Sequence, residues 1–280
     1  NEKKARGEVL DLAHGIPLCP PAEIKVGTYA DCENADIVIL TAGANQKPGE
    51  TRMDLTRKNI AVFRSIVPQV VKYASHAILL VVTNPCDVLT YVTWKISGLP
   101  SSQVIGSGTI LDTARLRSRL AEYMSISQKN VHAYVLGEHG DSSFVPWSCA
   151  QIASVKLEDY RKGLNYRDHV YPEFSYDEIE QYMRTSGAKI IGRKGATFYA
   201  IAISVCHIVE VLFGSTNTVM TVSSMMHGEY GLDDVCLSIP FIVGPEGICG
   251  NILPPLTDEE LVKMRHSGDV LKGVIAQLDI

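Results

Sequence analysis

Asp36-Ile37-Val38-Ile39-Leu40-Thr41 and Ala77-Ile78-Leu79-Leu80-Val81-Val82-Thr83-Asn84 are the stretches on which the fold turns. Each is a short, unbroken apolar run, the pattern of a strand buried on both faces of a sheet. Between them, Glu50 to Ala74 has apolar residues at helical spacing, and Pro68 is expected to kink that helix. The alternation continues on either side. Asn1 to Ala13 reads as a helix through Ala5, Val9 and Leu12, and Glu23 to Thr28 as a strand. Asp87 to Ile96 reads as a helix, Val104 to Gly106 as a brief strand, and Ile110 to Tyr123 as a helix. Such alternation predicts an α/β architecture, a mainly parallel sheet with helices on both faces. Sheets of this kind bind ligands beyond the carboxyl ends of their strands. That rule singles out Thr41 to Gln46, Thr83-Asn84 and Ser107.

The character of the chain changes near Val131. Val131 to Leu136 alternates as a strand, and Gln151 to Tyr176 is polar and irregular. Tyr176 to Ile191 and Ala196 to Phe213 read as long helices, the second apolar nearly all round and therefore expected to be buried. Val219 to Met226 and Val235 to Val243 read as antiparallel strands about a turn at Gly228 to Gly231, and Asp258 to Leu278 as a closing amphipathic helix. This second part is α+β in pattern. The expected division is 1–107 and 108–280.

Composition narrows the possibilities. The chain has 280 residues, 46% of them hydrophobic and 20% charged, with a net charge of −5. That suits an ordinary soluble globule with a substantial core, and the charge gives no basic footprint for nucleic acid. No apolar run reaches the length of a membrane span. The seven cysteines are scattered without a CxxC pair or metal-ligand spacing, which fits a reducing cytoplasm better than a disulfide framework and gives no metal site.

Two clusters carry chemistry. Gly137-Glu138-His139-Gly140-Asp141 sets a histidine between glycines on a loop, and Leu111-Asp112-Thr113-Ala114-Arg115 sets a carboxylate and a guanidinium three positions apart on a helix. Moving a proton to or from a carbon-bound hydroxyl needs a base of near-neutral pKa, which histidine supplies. Asp112 could orient and stabilise such an imidazole, and Arg115 could grip a carboxylate through two parallel hydrogen bonds. At about 100° per residue Asp112 and Arg115 share one helix face, whereas Arg117 serves another surface. Taken singly, each has a plainer reading. His139 could be a surface histidine, Asp112 and Arg115 an ordinary i,i+3 ion pair, Asn84-Pro85 a turn and Thr197 a helix cap.

Together and in this order, Asn84-Pro85-Cys86-Asp87, Leu111 to Arg115 and Gly137 to Asp141 resemble the signature blocks of the L-lactate and malate dehydrogenases, a likeness running from Asn1 to the C-terminus. Gly43 to Arg52 resembles the lactate branch. The resemblance implies a Rossmann-type, doubly wound NAD-binding domain over 1–107 and an α+β substrate domain over 108–280. It further implies reversible reduction of pyruvate to L-lactate, with malate or another 2-hydroxy acid as the alternative. A non-catalytic relative that kept the fold is a rival of another class, but it would be expected to have lost His139, Asp112, Arg115 or Arg52, and all four are present. His139 would transfer the proton, Asp112 orient it, Arg115 hold the substrate carboxylate, and Arg52, on a lid hinged near Pro48-Gly49, stabilise the carbonyl oxygen. Gln46 would set the side-chain preference, because malate dehydrogenases place an arginine there for a second carboxylate.

The same resemblance puts Asn84 against nicotinamide and substrate oxygen, Thr197 against the substrate side chain, and Ser107 near the carboxamide. Lys4, Tyr29, Gly43, Ala44, Ser65, Val82, Thr83 and Ile201 would complete the cofactor channel. Arg117 and His132 match the pair that, in bacterial lactate dehydrogenases activated by fructose 1,6-bisphosphate, faces its counterpart across a two-fold axis; kinship also implies a homotetramer. A domain of this type opens with a strand, a glycine-rich turn, a helix and a strand ending in a ribose-binding acid. This chain is expected to start just past that acid, about 40 residues short of the full unit. NAD over NADP therefore rests on likeness.

Overall fold

A computed structural model describes residues 1–44, 49–163 and 173–278. The two apolar runs become β1 (Ile37–Leu40) and β2 (Ile78–Val81), paired in parallel from Ile37 opposite Ile78 to Leu40 opposite Val81. β3 (Val104–Gly106) adds to β2 in parallel, Leu79 opposite Val104. The helices α1 (Glu2–Gly15), α2 (Arg52–Tyr73), α3 (Cys86–Ser97) and α4 (Ile110–Met124) follow their expected places. In α2, Ile60, Phe63, Val67 and Val70 recur at three- and four-residue steps and are buried, while Thr51 and Asp54 close a capping box at its start.

The three strands of the first half are parallel, as expected, and the same sheet continues antiparallel into the second half. β7 (Thr218–His227) joins β3 antiparallel, and β8 (Asp233–Gly244) and β9 (Gly247–Asn251) extend it, so the order is β1-β2-β3-β7-β8-β9. The reason is the edge of β3. Its unpaired backbone groups accept a strand of the second half, which the β7–β8 hairpin supplies. One core consequently spans both halves, with Ile60, Val88 and Ile105 packing in the same cluster as Val222, Ile239 and Met264. A second core gathers Leu116, Leu120, Ile152, Leu157 and Ile179.

Other expectations are corrected. Glu23 to Thr28 forms no strand: no described strand lies on the free edge of β1, so the segment has no ladder to join. β1 is buried only in part, with Ile39 42% exposed, because no described element covers that face. The alternating run from Val131 shrinks to β4 (Val131–His132), since its chain leaves the ladder and Leu136 pairs instead with Phe144. The polar stretch after it is more regular than expected, holding β5 (Gln151–Ile152), β6 (Val155–Lys156) and α5 (Leu157–Gly163), where polar side chains face outward over short paired strands.

The helices α6 (Tyr176–Lys194), α7 (Tyr199–Leu212) and α8 (Asp258–Ile275) are present. α7 is not buried all round. Only Ser204, Ile208, Val211 and Leu212 are covered, because α4 and β8 take a single stripe, and Tyr199 and Ile203 stay open. No helix among the described residues is long and apolar enough to cross a membrane.

The junction of the halves is tight at Gly108, which has φ +51°. A Cβ there would come within 2.5 Å of the Ser223 amide nitrogen and 2.8 Å of the Val222 carbonyl carbon. Gly108→Ala should therefore lower stability by roughly 1–3 kcal/mol through overpacking and backbone strain. The check is urea unfolding; an unchanged midpoint would contradict this packing.

Candidate active site

The loop carrying His139 is fixed by three consecutive backbone N–H groups, each donating to a different element. Gly137 donates to the Ser238 carbonyl on β8 at 2.9 Å, Glu138 to Ser267 Oγ on α8 at 2.7 Å, and His139 to Asp87 Oδ2 on α3 at 2.7 Å. Gly137 has φ +88°, and a Cβ on it would meet Ser267 Oγ at 2.6 Å, so the turn needs glycine on both counts.

So placed, His139 contacts Asp112 Oδ2 through Nδ1, and Arg115 Nη1 donates to Asp112 Oδ1 at 2.8 Å. Asp112 is buried and Arg115 half-buried on the first turns of α4. Burial opposes charge on His139, but the Asp112 carboxylate, by charge and hydrogen bond, and Asp87 outweigh it and raise the imidazole to about 9. Burial also acts to raise Asp112, and His139 and Arg115 overcome it, leaving that carboxyl below its ordinary range. The arrangement is an ionised carboxylate holding a proton on an imidazole beside a guanidinium, which suits donation of a proton to an anionic substrate.

Two further residues matter here that sequence reasoning missed. Burial pushes the Asp87 carboxyl up to about 6, and the neighbouring Ser223 hydroxyl and His139 offset only part of this. No full hydrogen bond reaches its buried Oδ1 among the described residues. Asn59, also buried, accepts from the Ala44 amide at 2.7 Å and donates to the Asn84 carbonyl at 2.8 Å, tying the loop after β1 to the loop after β2. An asparagine inside a helix is a poor helix former, and that was the available signal.

The candidate cofactor residues divide. Gly43 and Ala44 follow β1, Val82, Thr83 and Asn84 follow β2, and Ser107 follows β3, at the carboxyl ends of three adjacent parallel strands. Thr83 Oγ1 donates to the Ala42 carbonyl at 3.0 Å, and a Cβ on Gly43 would collide with its methyl group. The bare backbone at Gly43 fits close approach of a dinucleotide at this edge. The Asn84-Pro85 bond is cis, Ser107 is buried, and Ile201 is half-buried on α7. Lys4 on α1, Tyr29 and Ser65 on α2 hydrogen-bond to none of these; the Ser65 hydroxyl donates to its own helix at Val62.

For the substrate, Thr197 and Arg115 line one cavity of about 350 Å³. Arg52 starts α2 and pairs at 2.6 Å with Asp141, on the histidine loop. Gln46 and Pro48 lie outside the described residues. Arg117 donates to the Ala133 carbonyl at 3.1 Å, which sets it beside exposed His132 and away from Asp112.

Family models agree with this geometry. Residues 1–106 match the lactate/malate dehydrogenase NAD-binding domain and residues 109–279 its alpha/beta C-terminal domain. An L-lactate dehydrogenase of Acetivibrio thermocellus is 50% identical over 280 residues, 100% of this chain and 87% of that protein. Another from Thermoanaerobacterium saccharolyticum is 46% identical over 286 residues, covering 100% and 89%. Among solved structures, the minor L-lactate dehydrogenase of Enterococcus mundtii superimposes with a TM-score of 0.93 at 37% identity, covering 100% of this chain and 88% of the other. With His139, Asp112 and Arg115 assembled on such a sheet and both halves matched, this chain belongs to the lactate/malate dehydrogenase family.

Proposed function

We propose that this protein is an NAD-dependent L-lactate dehydrogenase that reversibly reduces pyruvate. The observation that carries the reading is the contact of His139 with Asp112 and of Asp112 with Arg115, the last of which lines a small cavity together with Thr197. NAD, held along Gly43, Ala44, Val82, Thr83, Asn84 and Ser107, would exchange the hydride. The chain's own groups do the rest. Arg115 holds the substrate carboxylate, Thr197 meets its side chain, and protonated His139 gives its proton to the carbonyl oxygen. Arg52, released from Asp141, stabilises charge on that oxygen. Because the imidazole titrates near 9, it is charged at neutral pH, ready for reduction; lactate oxidation needs its neutral form and gains as pH rises.

Residues 1–107 serve as the cofactor domain and 108–280 as the substrate domain. Free cysteines support a cytoplasmic setting. Exposed apolar side chains on α1 (Leu10, Leu12) and α7 (Ile203) support assembly, which we place at the homotetramer.

Neutral Gln46 favours the methyl group of pyruvate over the second carboxylate of oxaloacetate. NADH oxidation by the protein should proceed on pyruvate, and Gln46→Arg should move the ratio of kcat/KM values towards oxaloacetate by at least about tenfold. An unchanged ratio sinks the role of Gln46, and preference of the wild type for oxaloacetate would make malate the product.

Arg117 and His132 serve a second purpose in this reading, binding fructose 1,6-bisphosphate between subunits. The phosphates would neutralise cations that otherwise repel across a two-fold axis. Pyruvate saturation should sharpen with the bisphosphate, apparent KM falling about fivefold or more, and Arg117→Gln should abolish the effect. A wild type indifferent to the ligand in both affinity and assembly would end this part of the proposal.

A further inference from the structure

Tyr182, Ser186, Lys189 and Arg193 follow along α6 at steps of four, three and four residues, so they share one helix face. That face lines the 350 Å³ cavity together with Arg115 of α4, and Lys194 joins it from the last turn of α6. No aspartate or glutamate is among the lining residues. Of the four cations, only Arg115 has a carboxylate partner among the described residues. The lysines are steadied by aromatic rings instead. Lys189 lies 5.9 Å from the Tyr182 ring, and Lys194 lies 4.9 Å from Phe198 and 4.3 Å from Tyr199. A ring face orients a cation without cancelling its charge.

This is an unusual concentration of one sign in a chain of net charge −5. Lys189 and Arg193, four residues apart on a helix, repel one another, and no acid at the cavity relieves them. A solvated basic face would be convex and scattered; here the cations converge on a concavity whose inner member is Arg115. A cleft lined by one sign focuses its field and speeds capture of opposite charge by about 10–10³-fold, an effect that salt suppresses. It reaches outward by roughly a Debye length, ~8 Å at physiological ionic strength.

We infer that Lys189, Arg193 and Lys194 form an outer anion subsite, which captures the carboxylate of an incoming 2-oxo acid, or a free phosphate in its place, and delivers the carboxylate to Arg115. The inference rests on Arg115 being the carboxylate anchor.

The double variant Lys189→Gln/Arg193→Gln tests it, because both side chains are exposed and neither supports the core. In the first arm, inorganic phosphate is titrated calorimetrically into the full-length protein at low ionic strength, without substrate. The wild type should bind, and the variant should bind at least about tenfold more weakly. Absence of binding in the wild type, or equal binding by the variant, overturns the subsite; equal binding would place phosphate at Arg115 alone. The second arm follows kcat/KM for pyruvate as sodium chloride is raised. The wild type should fall steeply, while the variant starts about tenfold lower and stays nearly flat, with kcat held in both. Equal salt slopes overturn the delivery role. The conservative exchange Lys189→Arg/Arg193→Lys should behave as wild type. A wild type that binds phosphate but never turns over pyruvate refutes the proposed activity and leaves the anion subsite standing.

Discussion

A buried carboxylate is tolerated only when it is paired, and Asp112 is paired twice, to Arg115 within its own helix and to His139 from a distant loop. Much of the structure serves the second pairing. Removing one partner of such a buried group leaves a charge in a poor dielectric, so the histidine cannot wander without penalty. The loop is accordingly pinned at three successive amides by β8, α8 and α3. Those elements come from both halves of the chain. The junction of β3 with β7 is what brings them to one place, with Gly106 paired opposite Ser223. The mixed sheet is thus the means by which the loops after the parallel strands and the loop of His139 meet.

Much of this was legible beforehand. β2 was readable because an unbroken apolar run has one stable home, the middle of a sheet, and all four of its residues are buried. The helical spacing of Asp112 and Arg115 placed both on one face, and their ion pair follows. Glycines about His139 marked a loop of unusual backbone, borne out at Gly137. The remainder depended on long-range pairing. Nothing local in Glu23 to Thr28 tells that it lacks a neighbour, and nothing in Ala196 to Phe213 tells that only one stripe will be covered. Asp87 reads as a helix-starting acid; that its carboxylate holds the His139 amide appears only once three elements converge. Asn59 is hidden in the same way, since its two partners lie on separate loops.

Electrostatics divides the site into an inner and an outer part. Inside, every charge is balanced in a short chain from Arg115 through Asp112 to His139, and Asp87 adds a second carboxylate behind the imidazole. The balance explains why His139 keeps its proton although burial works against it. Outside, the α6 face is left with unbalanced cations. An anion moving inward therefore passes from exposed, ring-supported lysines to a guanidinium held in place by its own carboxylate. Arg52 stands apart from both parts, tied to Asp141 on the loop rather than to the buried pair.

If Asp112 keeps His139 protonated at neutral pH, the His139 ring resonances followed by NMR as pH is raised, in wild type and in Asp112→Asn, will report it. The wild-type imidazole should titrate near 9, and the variant should titrate far lower, at or below the ordinary value of 6.5. A wild-type ring that titrates at 6.5 or lower, or one that the substitution leaves unmoved, would contradict the claim.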